Sequence, residues 1–234
     1  MKNKVILILQ DIFNRYYSSG IDAIYLWGSV IIKDFNPLTS DVDSVAIVKD
    51  STDINLEDEI KKLIAETHPE IKKLGIRFLY KGELNGGKIK SFVASVIDPR
   101  TLLLDLSNWE LVAGRPFKPS DFSLSQPSYN EAINLTLDKF KGFGWLKVAE
   151  IPEGQHLQLL KTLARIIDYQ QKDRGSSPGV FSYLTILARA NATEKRIVEA
   201  ILENKRSNWD YLMFVKYAPL FQEYVSQLLK SRNH

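Results

Sequence analysis

Two aspartates separated by one residue, Asp41 and Asp43, stand at the start of an apolar run that is typical of a buried β-strand. A strand alternates its faces, so side chains two residues apart point the same way and these two carboxylates would lie side by side. Like charges at such a separation repel each other, and a divalent cation removes the repulsion. Magnesium prefers hard oxygen ligands and is often held by one or two carboxylates together with substrate phosphates. The pair therefore predicts a Mg²⁺ site.

A Gly-Ser pair, Gly28-Ser29, follows another apolar run upstream of the aspartates. A glycine lets the backbone approach a phosphate closely, and Ser29 adds a hydroxyl and an N–H donor. A helix that began near Ser29 would direct its N-terminal dipole at the same anion. The two halves together predict a site for a nucleoside triphosphate and its metal. In that site Gly28 and Ser29 would contact the nucleotide, while Asp41 and Asp43 would be catalytic and hold the metal.

The complete pattern resembles the signature of the DNA polymerase β-type nucleotidyltransferase superfamily, in which an apolar residue, Gly-Ser or Gly-Gly, a short spacer and Asp-x-Asp or Asp-x-Glu follow one another. In layout the chain is most similar to the aminoglycoside nucleotidyltransferases and related bacterial proteins, which share this start and a C-terminal helical domain. Their motif often has a serine just before the first aspartate, as Ser40 is here, and the resemblance implies that Ser40 also contacts the nucleotide. The resemblance implies transfer of a nucleoside monophosphate, AMP from Mg-ATP in particular, to a hydroxyl of a small-molecule acceptor.

One element of the superfamily pattern is absent, namely a third carboxylate on the strand after the helix. This chain has Gly75 at about that position, and the predicted strand over 75–81 contains no acidic residue. Glu83 or Asp98 could substitute, although a solvated turn residue and a turn-initiating aspartate before Pro99 are the simpler interpretations. A base could also come from the helical domain, where the candidates are Glu131, Asp138, Glu150 and Asp168.

The absent carboxylate leaves more than one function open. The chain is either an active nucleotidyltransferase or a catalytically impaired nucleotide-binding or interaction protein that kept the fold. An enzyme that modifies a macromolecule, such as a tRNA end or a protein hydroxyl, is a third hypothesis. The net charge of +3, from 31 basic and 28 acidic residues, does not favour a nucleic-acid partner, since strong binders usually concentrate basic residues on one face. Neither the acceptor nor the oligomeric state is indicated.

Composition excludes several other classes of function. The chain contains no cysteine, so disulfides, thiol catalysis and cysteine-ligated zinc are excluded. No apolar run is long enough to span a membrane, and the basic N-terminus is interrupted by Asp11 and Arg15 before any cleavage site. We therefore expect a cytoplasmic protein.

Several residues outside the motif could also contact a nucleotide. Trp109, Trp145 and Trp209 could stack on a base or a sugar, although such side chains are more often core or domain-interface residues. The run over 204–209 resembles the link between the last helices of small-molecule nucleotidyltransferases, which implies that Arg206 could contact a triphosphate. A cation at a helix C-terminus is the simpler interpretation of Arg206.

Hydrophobic periodicity predicts an α/β (α+β) domain followed by an α-helical domain. The resemblance to the superfamily implies that the first domain is a nucleotidyltransferase-type mixed sheet with flanking helices and that the second is an α-helical bundle. We place the first domain at 1–122 and the second at 123–234, because prolines cluster around this boundary. In the first domain we expect helices over 5–17 and 56–74, strands over 21–27 and 43–48, a β-hairpin over 75–98, and a short strand or helix over 101–106. In the second domain we expect helices over 130–140, 155–173, 180–190, 194–204 and 208–230.

Overall fold

The computed structural model of the chain describes residues 2–28, 42–71, 74–176 and 181–231. The chain divides into two compact units, Met1–Pro127 and Ser128–His234. The domain assignment to 1–122 and 123–234 stays a prediction. Of the helices in the described ranges, none is both long and apolar enough to cross a membrane.

The first unit is built on a four-stranded mixed sheet. Its strands are β1 (Ile21–Trp27), β2 (Val42–Val48), β3 (Leu74–Tyr80) and β4 (Glu110–Gly114). They lie in the order β3-β2-β1-β4, with β1 antiparallel to both of its neighbours and β2 parallel to β3. The predicted α/β fold with a mixed sheet is therefore confirmed, and the strands predicted over 21–27 and 43–48 are β1 and β2.

Helices cover both faces of this sheet. They are α1 (Lys2–Tyr16), α2 (Leu56–Thr67), α3 (Lys81–Leu84), α4 (Phe92–Val96) and α5 (Pro99–Leu106). Because β2 alternates its side chains, Val42, Ala46 and Val48 pack in one hydrophobic cluster with α1 and α2. Val45 and Ile47 pack in a second cluster with the short helices α3 to α5. By the same alternation Asp43 belongs to the face that carries α3 to α5.

The β-hairpin predicted over 75–98 is wrong. Its first half is indeed strand β3, but α3 and α4 follow in place of a returning strand. The β-branched residues of the second half favour a strand locally, whereas two helix-start signals prevail. The Ser91 side chain accepts the Ala94 N–H and caps α4, and Asp98 caps α5 ahead of Pro99 at its first turn. The short segment predicted over 101–106 is therefore the helix α5.

Two further departures from the predicted elements have local causes. Helix α2 ends at Thr67, short of the predicted end at residue 74, because Pro69 disfavours helical backbone at His68. Strand β4, which was not predicted, pairs with β1 at the edge of the sheet. Its short sequence lacks a clear alternation of apolar and polar residues, so its pairing depends on β1 rather than on its own pattern.

Both outer strands of the sheet bond to a helix side chain. On β3, the Phe78 N–H donates to Glu57 Oε2 at 2.7 Å, and Arg77 forms an ion pair with Glu57 Oε1 at 3.1 Å. On β4, the carbonyl of Val112 accepts a hydrogen bond from Gln10 Nε2 at 3.3 Å. Helices α2 and α1 thus each contribute one side chain to an edge of the sheet.

The second unit is α-helical, and each of the five helices predicted for it is present, although the last begins at Tyr211 and not at residue 208. They are α6 (Tyr129–Gly142), α7 (His156–Asp173), α8 (Tyr183–Arg189), α9 (Ala192–Arg206) and α10 (Tyr211–Ser231). Helix α7 packs against α6, α8 and α9, and α10 packs against α9. Helices α6 and α9 begin with capping boxes, in which Ser128 pairs with Glu131 and Asn191 with Glu194.

The turn between α9 and α10 has an unusual backbone. Asn208 and Trp209 adopt left-handed conformations, with φ of 57° and 62°. A residue other than glycine held in this region costs on the order of 1–3 kcal/mol. Two hydrogen bonds compensate, because the Trp209 N–H donates to the Asn204 carbonyl and the Trp209 carbonyl lies 2.7 Å from His156 Nε2. The Gly154 N–H donates to His156 Nδ1, so Nε2 carries the ring proton and donates to Trp209.

Candidate nucleotide site

The sheet brings Gly28 and Asp43 together. Trp27 lies opposite Asp43 in the antiparallel register of β1 and β2, and Gly28 is the next residue at the same end of the sheet. Gly28 has a left-handed φ of +73°, and a Cβ placed on it would lie 3.2 Å from Asp43 Oδ2. Glycine is therefore favoured here both by the backbone conformation and by the close approach of the carboxylate. The two halves of the predicted motif meet at this point.

Asp43 is the one exposed residue of β2, since the other six residues of that strand are buried. Its neighbour Ser44 points to the opposite face, where the hydroxyl donates to the Gly75 carbonyl at 2.8 Å. This bond links β2 to β3 beside Asp43 and fixes the backbone that carries the carboxylate. An exposed carboxylate on a fixed backbone provides the hard oxygen donors that Mg²⁺ prefers.

Gly75 lies directly beside Asp43, as its partner in the parallel register of β2 and β3. This is the position at which the superfamily resemblance leads us to expect a third carboxylate. A Cβ on Gly75 would have the Val42 carbonyl oxygen, at 3.9 Å, as its nearest neighbour, so a side chain fits there. In the part of the chain that the structure describes, no three His, Asp or Glu side chains form a group that could hold a metal.

Three of the predicted site residues, Ser29, Ser40 and Asp41, lie outside the described residues. Their roles as phosphate and metal contacts stay predictions. The described part of the motif thus consists of Gly28 and Asp43, which supply a close backbone approach and one carboxylate.

Glu83 cannot supply the third carboxylate, and its interpretation as a solvated turn residue is wrong. Its side chain is buried, with the residue 1% exposed. Oε1 accepts the N–H groups of Lys90 and Ser91, both at 2.6 Å, and Oε2 accepts the Tyr80 N–H at 2.9 Å. A strand rises about 3.3 Å per residue, so Tyr80 at the far end of β3 lies roughly 16 Å from Gly75. Glu83 is a structural carboxylate that closes the loop between α3 and α4.

The other candidate carboxylates also have structural partners. Asp98 caps α5 by accepting the Arg100 N–H at 2.9 Å, in agreement with its interpretation as a turn-initiating residue.

In the helical unit, Glu131 belongs to the capping box of α6, and Asp168 forms a buried ion pair with Lys172 at 2.7 Å. The two remaining candidates form ion pairs, Asp138 with Lys141 at 3.8 Å and Glu150 with Lys147 at 3.2 Å.

An aromatic side chain beside Asp43 was not predicted as a site residue. Trp27 projects from β1 onto the same face as Asp43, and its ring stacks on Trp109 with a centroid distance of 5.4 Å and an interplanar angle of 28°. Trp109 is 8% exposed, which confirms its interpretation as a core residue. The sequence signal for Trp27 was its place immediately before Gly28, inside the motif itself.

The residues around this pair fix it in place. Tyr25 packs its ring edge against Trp109 at 5.9 Å, and the Phe117 N–H donates to the Tyr25 hydroxyl at 2.7 Å. Burial raises the pKa of Tyr25 above its ordinary value, so the phenol stays protonated at neutral pH. On strand β3, Arg77 forms an ion pair with Glu57, and its guanidinium lies 4.9 Å from the Phe92 ring centroid.

The mixed sheet, its flanking helices and the helical unit together form a nucleotidyltransferase-like fold. A crystal structure with this fold is that of spectinomycin adenyltransferase AAD(9) from Enterococcus faecialis with ATP and spectinomycin. The TM-score is 0.60, with 97% of this chain and 99% of that chain covered, at 13% sequence identity. No family model and no curated protein matches the sequence. The predicted similarity to aminoglycoside nucleotidyltransferases is therefore confirmed at the level of the fold.

Proposed function

We propose that this chain is a nucleotidyltransferase that transfers a nucleoside monophosphate, AMP from Mg-ATP, to a hydroxyl of a small-molecule acceptor. The observation that carries the proposal is the close approach of the exposed Asp43 carboxylate to Gly28, where an added Cβ would lie 3.2 Å from Asp43 Oδ2. The shared fold supports it, because the similar crystal structure contains a nucleotide, ATP, and a small molecule, spectinomycin.

In this proposal each residue of the motif has a distinct role. Asp43, together with Asp41, holds Mg²⁺ through carboxylate oxygens, and a bound Mg²⁺ supplies neutralisation of the triphosphate charge. The left-handed turn at Gly28 brings its backbone next to the Asp43 carboxylate and to the metal that this carboxylate would hold, and Ser29 and Ser40 donate to phosphate oxygens. The chain thereby positions the α-phosphate for attack by an acceptor hydroxyl.

Replacing Asp43 with asparagine tests this assignment, because the change removes one charge and keeps the side-chain shape. Mg-ATP affinity is measured by isothermal titration calorimetry, and pyrophosphate release is measured with a panel of hydroxylated small molecules that includes spectinomycin. We expect Asp43→Asn to weaken Mg-ATP binding at least about tenfold, the scale of one lost charge-assisted contact. Asp58→Asn, on the exposed first turn of α2, is the matched control and should bind as the wild type does. Equal Mg-ATP affinity of Asp43→Asn and the wild type would refute the proposal.

The second candidate function is a nucleotide-binding or interaction protein that is catalytically impaired. Gly75 favours it, since the strand beside Asp43 contributes no carboxylate at that register position. This candidate predicts Mg-ATP binding that is sensitive to Asp43→Asn but is accompanied by no pyrophosphate release. Release of pyrophosphate with formation of a nucleotidylated acceptor would exclude it.

A further inference from the structure

We infer that Trp27 binds the planar base of the nucleotide by stacking, and that Trp109 acts as a positioning residue that holds Trp27. The inference rests on the proposed function, since it assigns a contact to the nucleotide that Asp43 and Gly28 would hold by its phosphates. It gives a role to a residue that is neither a metal ligand nor a phosphate contact.

The register of the sheet places Trp27 where a base could reach it. Trp27 and Asp43 are directly opposite each other on β1 and β2, and opposed residues have Cα atoms roughly 4.5–5.5 Å apart. Opposed side chains project from the same face, so the indole and the carboxylate stand next to each other. In a nucleotide a single ribose separates the base from the α-phosphate. An indole on the strand next to Asp43 is therefore within reach of the base when Asp43 holds the phosphates through the metal.

The burial of Trp27 suits a ligand contact better than a core position. It is partly exposed and packs against the edge of the α3–α5 cluster, whereas Tyr25, two residues earlier on the same face, is 3% exposed. A large aromatic ring at the edge of the core, beside a carboxylate and a left-handed glycine, offers an apolar surface within a polar site. Small-molecule sites commonly combine such a surface with a few polar groups.

The Trp27 ring is also fixed in position by the residues that pack around it. Trp109 stacks on Trp27, Tyr25 packs edge-on against Trp109, and the Phe117 N–H anchors the Tyr25 hydroxyl. The Trp109 indole N–H has no hydrogen-bond partner within the described residues, so ring contacts rather than a polar anchor account for its position. A ring that is fixed before binding loses little conformational entropy when a ligand stacks on it.

The chemistry of this surface points to the base rather than to the acceptor hydroxyl. Indole offers a flat π-face, and each nucleobase has a matching one, whereas the acceptor hydroxyl that attacks the α-phosphate in the proposed reaction has no such face. Stacking tolerates any base, so Trp27 should contribute affinity for nucleotides in general and little discrimination among them.

Two probes separate the base contact from the phosphate contact, namely Mg-ATP and Mg-tripolyphosphate, which has no base. By calorimetry we expect Trp27→Leu to weaken Mg-ATP binding by roughly tenfold or more, the usual effect of losing one base–aromatic stack. Its affinity for Mg-tripolyphosphate should stay unchanged, and Trp27→Phe should retain most of the Mg-ATP affinity. Unchanged Mg-ATP affinity in Trp27→Leu, or an equal loss with both probes, would overturn the inference.

Tryptophan fluorescence gives a second measurement that does not depend on the leucine variant folding. Mg-ATP should quench the emission of the wild type, and most of that quenching should disappear in Trp27→Phe. Trp145→Phe, in the helical unit, is the matched control and should keep it. Quenching that persists in Trp27→Phe would overturn the inference.

The wild-type and Asp43→Asn proteins distinguish this inference from the proposed function. If the wild type binds no Mg-ATP, both fail together. If the wild type binds and Asp43→Asn does not, while Trp27→Leu binds Mg-ATP as tightly as the wild type, the base contact alone is refuted and the proposed function stands.

Discussion

Replacing Gly75 with aspartate would place a new carboxylate beside that of Asp43, because the two positions are register partners on parallel strands. The backbone accepts the change, since Gly75 is not among the glycines with positive φ and its Cβ would have 3.9 Å to the Val42 carbonyl oxygen. We expect Gly75→Asp to fold, to be less stable without Mg²⁺, and to regain stability when Mg²⁺ is added.

The magnitude follows from the strand spacing. Neighbouring strands lie about 4.8 Å apart, so the two carboxylates would be separated by about 5 Å. At an effective dielectric constant between about 20 and 80, their repulsion is about 1–3 kcal/mol, with the lower end applying to an exposed pair. A divalent cation bound by both groups reverses the sign, because each carboxylate then faces a positive charge.

Gly75→Asn is the matched control, since it introduces nearly the same side chain without the charge. Urea unfolding of both variants at low ionic strength, with and without millimolar Mg²⁺, measures the difference in their free energies of unfolding. We expect the aspartate variant to be less stable than the asparagine variant without Mg²⁺, and we expect Mg²⁺ to remove that gap. In an Asp43→Asn background the gap should disappear, as a double-mutant cycle requires of an interaction between these two groups. A gap that is absent, or that persists in that background, would refute the placement of Gly75 beside Asp43.

Two further substitutions test other parts of the fold. Asn208→Val should lower the free energy of unfolding by about 1–2 kcal/mol relative to Asn208→Gly, because left-handed backbone is unfavourable for a β-branched residue; equal urea midpoints would contradict the turn conformation. Glu83→Gln should destabilise the protein by roughly 1–3 kcal/mol, because the buried carboxylate accepts three backbone N–H groups. The Mg-ATP affinity of Glu83→Gln, measured well below the midpoint of urea unfolding, should match that of the wild type. A selective loss of that affinity would show that Glu83 belongs to the nucleotide site.

The elements that could be predicted from the sequence are those with a strong local pattern. Strand β1 is an apolar run between turn residues that only Asp22 interrupts, and helices α6, α8 and α9 of the second unit begin with a capping side chain. The region after β3 could not be predicted in the same way. There the decisive contact is non-local within the segment, since Glu83 binds the backbone of Lys90 and Ser91 and so holds the chain in a loop before α4.

The candidate site likewise contains features that could be predicted from the sequence and features that could not. Gly28 and Asp43 were predicted from residue type and spacing, and the resemblance to the superfamily drew attention to Gly75. The pairing of Asp43 with Trp27 on one side and with Gly75 on the other depends on strand register, which arises from contacts across the sheet. The role of Glu83 was missed for a related reason, because its burial results from the fold of a whole loop rather than from its neighbours in the sequence.

The side-chain bonds at the outer strands bear on how this protein can associate with other chains. The edge of a β-sheet is a template on which a further strand, from a partner or from an aggregating copy, can add by backbone pairing. Glu57 accepts a hydrogen bond from the Phe78 N–H at one edge, and Gln10 donates one to the Val112 carbonyl at the other. An incoming strand would have to displace a helix side chain at either edge, so each edge resists strand addition at that position.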